Sequence, residues 1–93
     1  MGRREERVFR LNDEIAALRR DEELAGEEVI MLQHIDDDAQ RDAAVSERPI
    51  DRADAKETAG DVRRMQQHVK DLEQKREKLE RKRDRLIGKW RSD

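Results

Sequence analysis

Cysteine is absent from the 93 residues, which excludes a disulfide framework and any thiol chemistry. Proline occurs once, at Pro49, so only one point on the chain is barred from a helix interior. Aromatics make up 2% of the sequence, and Trp90 alone could stack on a nucleobase, which weighs against single-stranded nucleic acid as a partner. The four glycines, Gly2, Gly26, Gly60 and Gly88, are isolated, so no glycine-rich loop exists to cradle a phosphate. The longest apolar run is Val29-Ile30-Met31-Leu32, far short of the roughly 18 residues of a membrane span. The N-terminus is charged and carries no apolar signal segment, so a cytoplasmic location is expected. Net charge is −2, too small for a global field that would draw the chain to nucleic acid or membrane.

What is present is charge and periodicity. Charged residues make up 49% of the chain and hydrophobic ones 33%, with Ala, Glu, Lys, Leu and Arg abundant. That composition fits a coiled coil or a disordered chain. Spacing decides between them. Val8, Leu11, Ile15, Leu18, Glu22, Ala25, Val29 and Leu32 follow one another at alternating steps of three and four. Val62, Met65, Val69, Leu72, Arg76, Leu79, Arg83, Leu86 and Trp90 do the same. This is a heptad seam, the stripe that one helix buries against another.

Only the stretch around Val45-Ser46-Glu47-Arg48-Pro49 interrupts the pattern. The expected architecture is a single all-α domain over residues 1–93, an antiparallel coiled-coil hairpin of two long helices. Helix 1 is expected over about 3–44, the turn over about 45–50 and helix 2 over about 51–90. Ser46 and Asp51 are the candidate N-caps of helix 2. Centring the turn on Glu47 sets Val8 opposite Leu86, Ile15 opposite Leu79, Ala25 opposite Val69, Val29 opposite Met65 and Asp36 opposite Thr58. One register serves every layer, which favours a hairpin over a parallel dimer of long helices. It also leaves Leu11 against Arg83, Leu18 against Arg76 and Glu22 against Leu72. Glu22 and Arg76 can then meet diagonally, as a polar pair that fixes register.

Leu24, Ile30, Met31 and Ile35 lie off the strict seam, and helix 2 has no matching surplus. Apolar surface that a hairpin cannot cover marks a partner interface. A second copy is the expected partner, giving a homodimeric four-helix bundle, with an unidentified protein as the alternative. Charge is also uneven. Residues 36–61 hold nine acids and four bases, whereas residues 75–91 hold nine bases and three acids, with Arg3, Arg4, Arg7 and Arg10 beside them.

Enzymatic signatures are missing, so no enzyme and no cofactor are expected. Ser46 and Ser92 have no histidine near them in the hairpin register, so nucleophilic catalysis lacks support. His34 and Asp38, one helical turn apart, with Asp37 adjacent and Gly60 and Asp61 at the same level of helix 2, form the nearest approach to a divalent-metal site. The same level invites a packing explanation in which Gly60 makes room for His34 or Ile35. Clustered bases in residues 75–91 would contact phosphates, but Glu77, Glu80 and Asp84 are interleaved, and nucleic acid is not the expected partner.

A long antiparallel hairpin with acids Asp36, Asp37, Asp38, Asp51 and Asp54 toward its turn resembles the N-terminal coiled coil of Gre-type transcript cleavage factors. Those factors insert an acidic tip into the RNA polymerase secondary channel. The resemblance extends over the hairpin and these acids and assigns no family. It implies an alternative function, a regulator docking an acidic tip onto a large partner such as RNA polymerase. The expected function is a non-enzymatic structural or protein–protein interaction module that self-associates through helix 1.

Overall fold

The computed structural model describes residues 2–92. They form two helices and no strand: α1, Arg3–Val45, and α2, Pro49–Ser92. The chain is an all-α helical hairpin. Both helices run without a break for more than forty residues, and none of the described residues has a positive φ.

The connection is shorter than the sequence implies. Val45 still belongs to α1, and Pro49 and Ile50 already belong to α2, leaving residues 46–48 as the turn. Proline lacks an N–H and has its φ fixed near the helical value, so it suits a first helical position where the amide would be orphaned anyway. The Ser46 amide donates to the Asp42 carbonyl at 2.9 Å and closes the last turn of α1. Neither Ser46 nor Asp51 is the N-cap. Arg48 holds that place, and its amide donates to Ser46 Oγ at 3.0 Å. Asp51 sits three residues on and accepts from the Ser46 hydroxyl and from Arg48 Nε. The serine thus satisfies an amide, and the first-turn carboxylate fixes the serine, a variant of the capping box. At its other end α2 continues to Ser92.

The chain divides into two compact units. The first comprises Met1–Glu23 and Lys70–Asp93, the second Leu24–Val69. In the first unit α1 buries Val8, Leu11, Ile15 and Leu18. The stripe they meet on α2 is Leu72, Arg76, Leu79, Arg83 and Leu86, all half-buried. Arginine serves here because its aliphatic stem covers leucine while the guanidinium reaches water. In the second unit the buried residues are small, Ala25, Ala55, Gly60 and Val62. Val29, Leu32, Met65 and Val69 are half-buried around them. None of the described residues has its side chain completely enclosed, because two helices can shield only one stripe of each other.

Gly26 lies inside α1 with open space where a Cβ would be. Alanine there relieves the entropy of a mid-helix glycine without a clash. Gly26→Ala is expected to raise stability by about 0.5–1 kcal/mol. Ile15→Ala, at one of the best-buried positions, is expected to lower it by about 2–4 kcal/mol. Urea unfolding of both variants checks the pair. A neutral Ile15→Ala would show that the seam is not the source of stability.

Candidate interaction surfaces

Rotation about α1 places its side chains relative to the seam. Successive residues turn by about 100°, so Ala25, Val29 and Leu32 mark the direction of α2. Leu24, Met31 and Ile35 then fall within about 40° of one another on one flank. They are 64%, 53% and 48% exposed. Ile30, 57% exposed, does not share their stripe. It lies about 120° away on the opposite flank of the seam, since only steps near three, four, seven and eleven return to the same face. The expected four-residue surface is therefore a three-residue stripe, with Ile30 apart from it.

The polar pair Glu22 and Arg76 is in direct contact within the first unit. Arg76 Nε donates to Glu22 Oε2 at 2.7 Å, with both side chains largely shielded. The pair is part of a longer chain of charges. Arg76 Nη1 also donates to Glu80 Oε2 at 3.1 Å, and Arg19 Nη2 donates to Glu80 Oε1 at 2.8 Å. Two arginines and two glutamates thus alternate across the helices. The hydrogen bond from Arg19, with help from Arg76, holds the Glu80 carboxyl below the usual range against the opposing effect of burial. The glutamates in turn push the Arg76 guanidinium further up. Glu80 and Arg19 carry no signal in the seam spacing. The i,i+4 step from Arg76 to Glu80 is the one trace they leave in the sequence.

The five acids toward the turn do not act alike. Asp36 continues the seam rather than facing out. It is half-buried and accepts from Gln40 Nε2 at 2.9 Å and from Thr58 Oγ1 at 2.7 Å. Gln40 also donates to the Ala55 carbonyl at 2.9 Å, so this layer is a polar clasp between α1 and α2. The bonds from Gln40 and Thr58 lower the Asp36 pKa. Asp51 is lowered too, by Arg48 first and then Ser46. Asp38 pairs with Arg41, and Asp37 and Asp54 are exposed. An acidic tip of five free carboxylates is thus replaced by two internal fasteners and three surface acids.

The packing explanation for Gly60 is also corrected. The three atoms nearest to a Cβ there all belong to Arg64, the closest being its Nη1 at 3.2 Å. His34 is exposed, whereas Gly60 is buried, with the Arg64 side chain nearest to it. Equal height along a hairpin is not contact. Among the described residues no group of three or more His, Cys, Asp or Glu side chains could hold a metal ion. No described helix is long and apolar enough to cross a membrane. Concavities are shallow grooves. One is lined by Arg19, Glu22 and Arg76, and another, of about 370 Å³, by Val8, Ile87, Trp90 and Arg91.

No family model matches the chain, and comparison with curated proteins and with solved structures finds no match either.

Two outcomes are expected from the charged contacts. Asp36, Asp51 and Glu80 have folded pKa values below their ordinary ones, so each contributes stability above its ordinary pKa and loses it as pH falls through the folded value. Thermal melts should hold from neutral pH to about 5 and drop below about 4, with Glu80→Gln shallower in its acid response. A melting temperature that rises on acidification contradicts this. Glu22→Leu should keep or raise the melting temperature, since apolar burial replaces a desolvated charge, while broadening the range of assembled species. Native mass spectrometry beside the melt reads both, and a sharp loss of stability would mean the carboxylate is indispensable to the network.

Proposed function

We propose that the chain is a non-enzymatic structural and protein–protein interaction module that self-associates through the α1 stripe of Leu24, Met31 and Ile35. The observation that carries this reading is that stripe, three large apolar side chains at helical spacing, each about half or more exposed, in a hairpin where no side chain among the described residues is completely enclosed. A hairpin with so thin a core gains from burying further apolar area. Burial of each of these side chains between copies contributes roughly 1.5–3 kcal/mol. The product of such an association is a four-helix bundle with twofold symmetry.

The acidic-tip alternative, docking onto a large partner such as RNA polymerase, has less to stand on. Asp36 and Asp51 are already committed to Gln40, Thr58, Ser46 and Arg48.

Sedimentation equilibrium of the parent and of Leu24→Glu/Met31→Glu tests self-association, with melts at two protein concentrations. The parent should be a dimer whose melting temperature rises with concentration, by mass action. The double variant should be monomeric and melt lower. Ile30→Glu, on the other flank, should leave the dimer intact. A monomeric parent with a concentration-independent melt overturns the reading.

A further inference from the structure

Helical rotation sorts the bases of the first unit. On α2, Lys75, Lys78, Lys82, Arg85 and Lys89 follow one another at steps of three and four, and all five are exposed. At about 100° per residue they fall within about 80° of one another, on one flank. Glu77, Glu80 and Asp84, interleaved with them in sequence, fall about 150° away, on the opposite side of the helix. Two of those acids are already engaged, Glu80 by Arg19 and Arg76 and Asp84 by Arg83. The interleaving that weighs against phosphate contact in the sequence is therefore undone on the folded α2. A second file comes from α1. Arg3, Arg7 and Arg10, also exposed, lie within about 60° of one another, and Glu14, the next residue of that stripe, ends it. The two files meet along one furrow. Arg7 and Arg10 share a groove with Lys82, and Arg7 and Lys82 share the adjoining groove with Arg85 and Lys89. Apart from three leucines and Glu14, every residue lining these two grooves is a base.

We propose that this flank binds the phosphodiester backbone of double-stranded nucleic acid without regard to sequence. Charge complementarity carries the choice. Five bases from two helices converge on one furrow, and the α2 file runs about 21 Å, the axial length of about six base pairs. Lysine and arginine that neutralise phosphates supply essentially all of non-specific binding to nucleic acid. A single strand is held by stacking its bases on aromatic rings, and neither aromatic side chain of the chain is on this flank. Trp90 lines a separate groove with Val8 and Ile87, and Phe9 lies about 130° around α1 from the arginine file. A lipid surface holds an amphipathic helix by taking up apolar side chains, and among the described residues this flank exposes no large one. A duplex backbone asks for neither stacking nor insertion. These bases all belong to the first unit, and the Leu24, Met31 and Ile35 stripe belongs to the second, so the inference goes beyond self-association and does not depend on it.

Fluorescence anisotropy of a labelled DNA duplex of about 20 base pairs, titrated with the full chain, tests the proposal. At about 0.05 M NaCl the complex should form in the micromolar range, equally for a scrambled sequence. If each of the five groove-lining bases neutralises one phosphate, log K should fall against log salt with a slope of about −4.5, several hundredfold between about 50 and about 200 mM. Lys82→Glu/Arg85→Glu should weaken binding by more than about tenfold. The milder Arg7→Gln/Arg85→Gln, one base from each helix, should reduce the slope by about 2, and circular dichroism checks that each variant stays helical. Arg52→Glu/Lys56→Glu makes the same change in net charge as Lys82→Glu/Arg85→Glu within the second unit, and it should bind as the parent does. Vesicles containing about one-third phosphatidylserine should leave the duplex bound. Absence of binding at low salt, a complex indifferent to salt, equal losses in the two charge-reversal variants, or displacement of the duplex by the vesicles overturns the proposal. Sedimentation without DNA reads self-association separately, and none of these results decides it.

Discussion

Everything in this chain depends on one constraint: each helix offers a single stripe that its neighbour can cover. From Val8 to Ala43 on α1, steps of three and four residues visit only positions that are buried or half-buried. From Asp51 to Leu86 on α2 the same holds. The positions between are mostly charged on α2 and mixed on α1, and charge distant from the seam neither helps nor hinders the pairing. The stripe is apolar where it can be and polar at a few layers. At those layers, Glu22 with Arg76 and Asp36 with Thr58, each group finds a hydrogen-bond partner across the interface. An unpartnered polar group in the same places would oppose pairing, so these layers admit one alignment of α1 with α2 and discriminate against others.

Much of this was legible in the sequence because seam spacing is a period, and a period survives without knowledge of three-dimensional detail. Helix number, direction and the neighbourhood of Glu22 and Arg76 follow from it. What did not follow came from rotation and from side-chain reach. Ile30 and Met31 are adjacent in sequence and far apart around the helix, so grouping them by proximity misplaced Ile30. His34 and Gly60 share a height, but His34 is exposed and the side chain nearest to buried Gly60 is Arg64. Asp36 reads as one of three consecutive acids, yet it stands four residues beyond Leu32 in the seam, and that step marked it as an interface residue. Glu80 and Arg19 lie beside the seam, and only the reach of their side chains brings them into the Arg76 network. At the turn, Pro49 is barred from a helix interior yet suits a first helical position, and α2 starts on it.

The apolar surplus and the charge asymmetry belong together. A two-helix pairing leaves any third or fourth apolar position without cover, and on α1 Leu24, Met31 and Ile35 share one flank while Ile30 lies on the other. Glu27, Glu28, Asp38 and Asp42, all exposed, border the Leu24, Met31 and Ile35 stripe.

The three-residue connection has a kinetic consequence. Ser46, Arg48 and Asp51 bond one another over at most five positions of sequence, whereas the contact of Arg83 with Asn12 spans 71. Contacts therefore grow steadily more non-local with distance from the turn. Closing a longer loop adds only about 0.6 kcal/mol of entropy per doubling, and less once an inner pair has already formed. Assembly that begins at the capped turn can proceed pair by pair, each closing step short for the one before it. Opening runs the other way, so amide exchange should be slowest near the clasp of Asp36 and Thr58 and quicken toward the two chain termini.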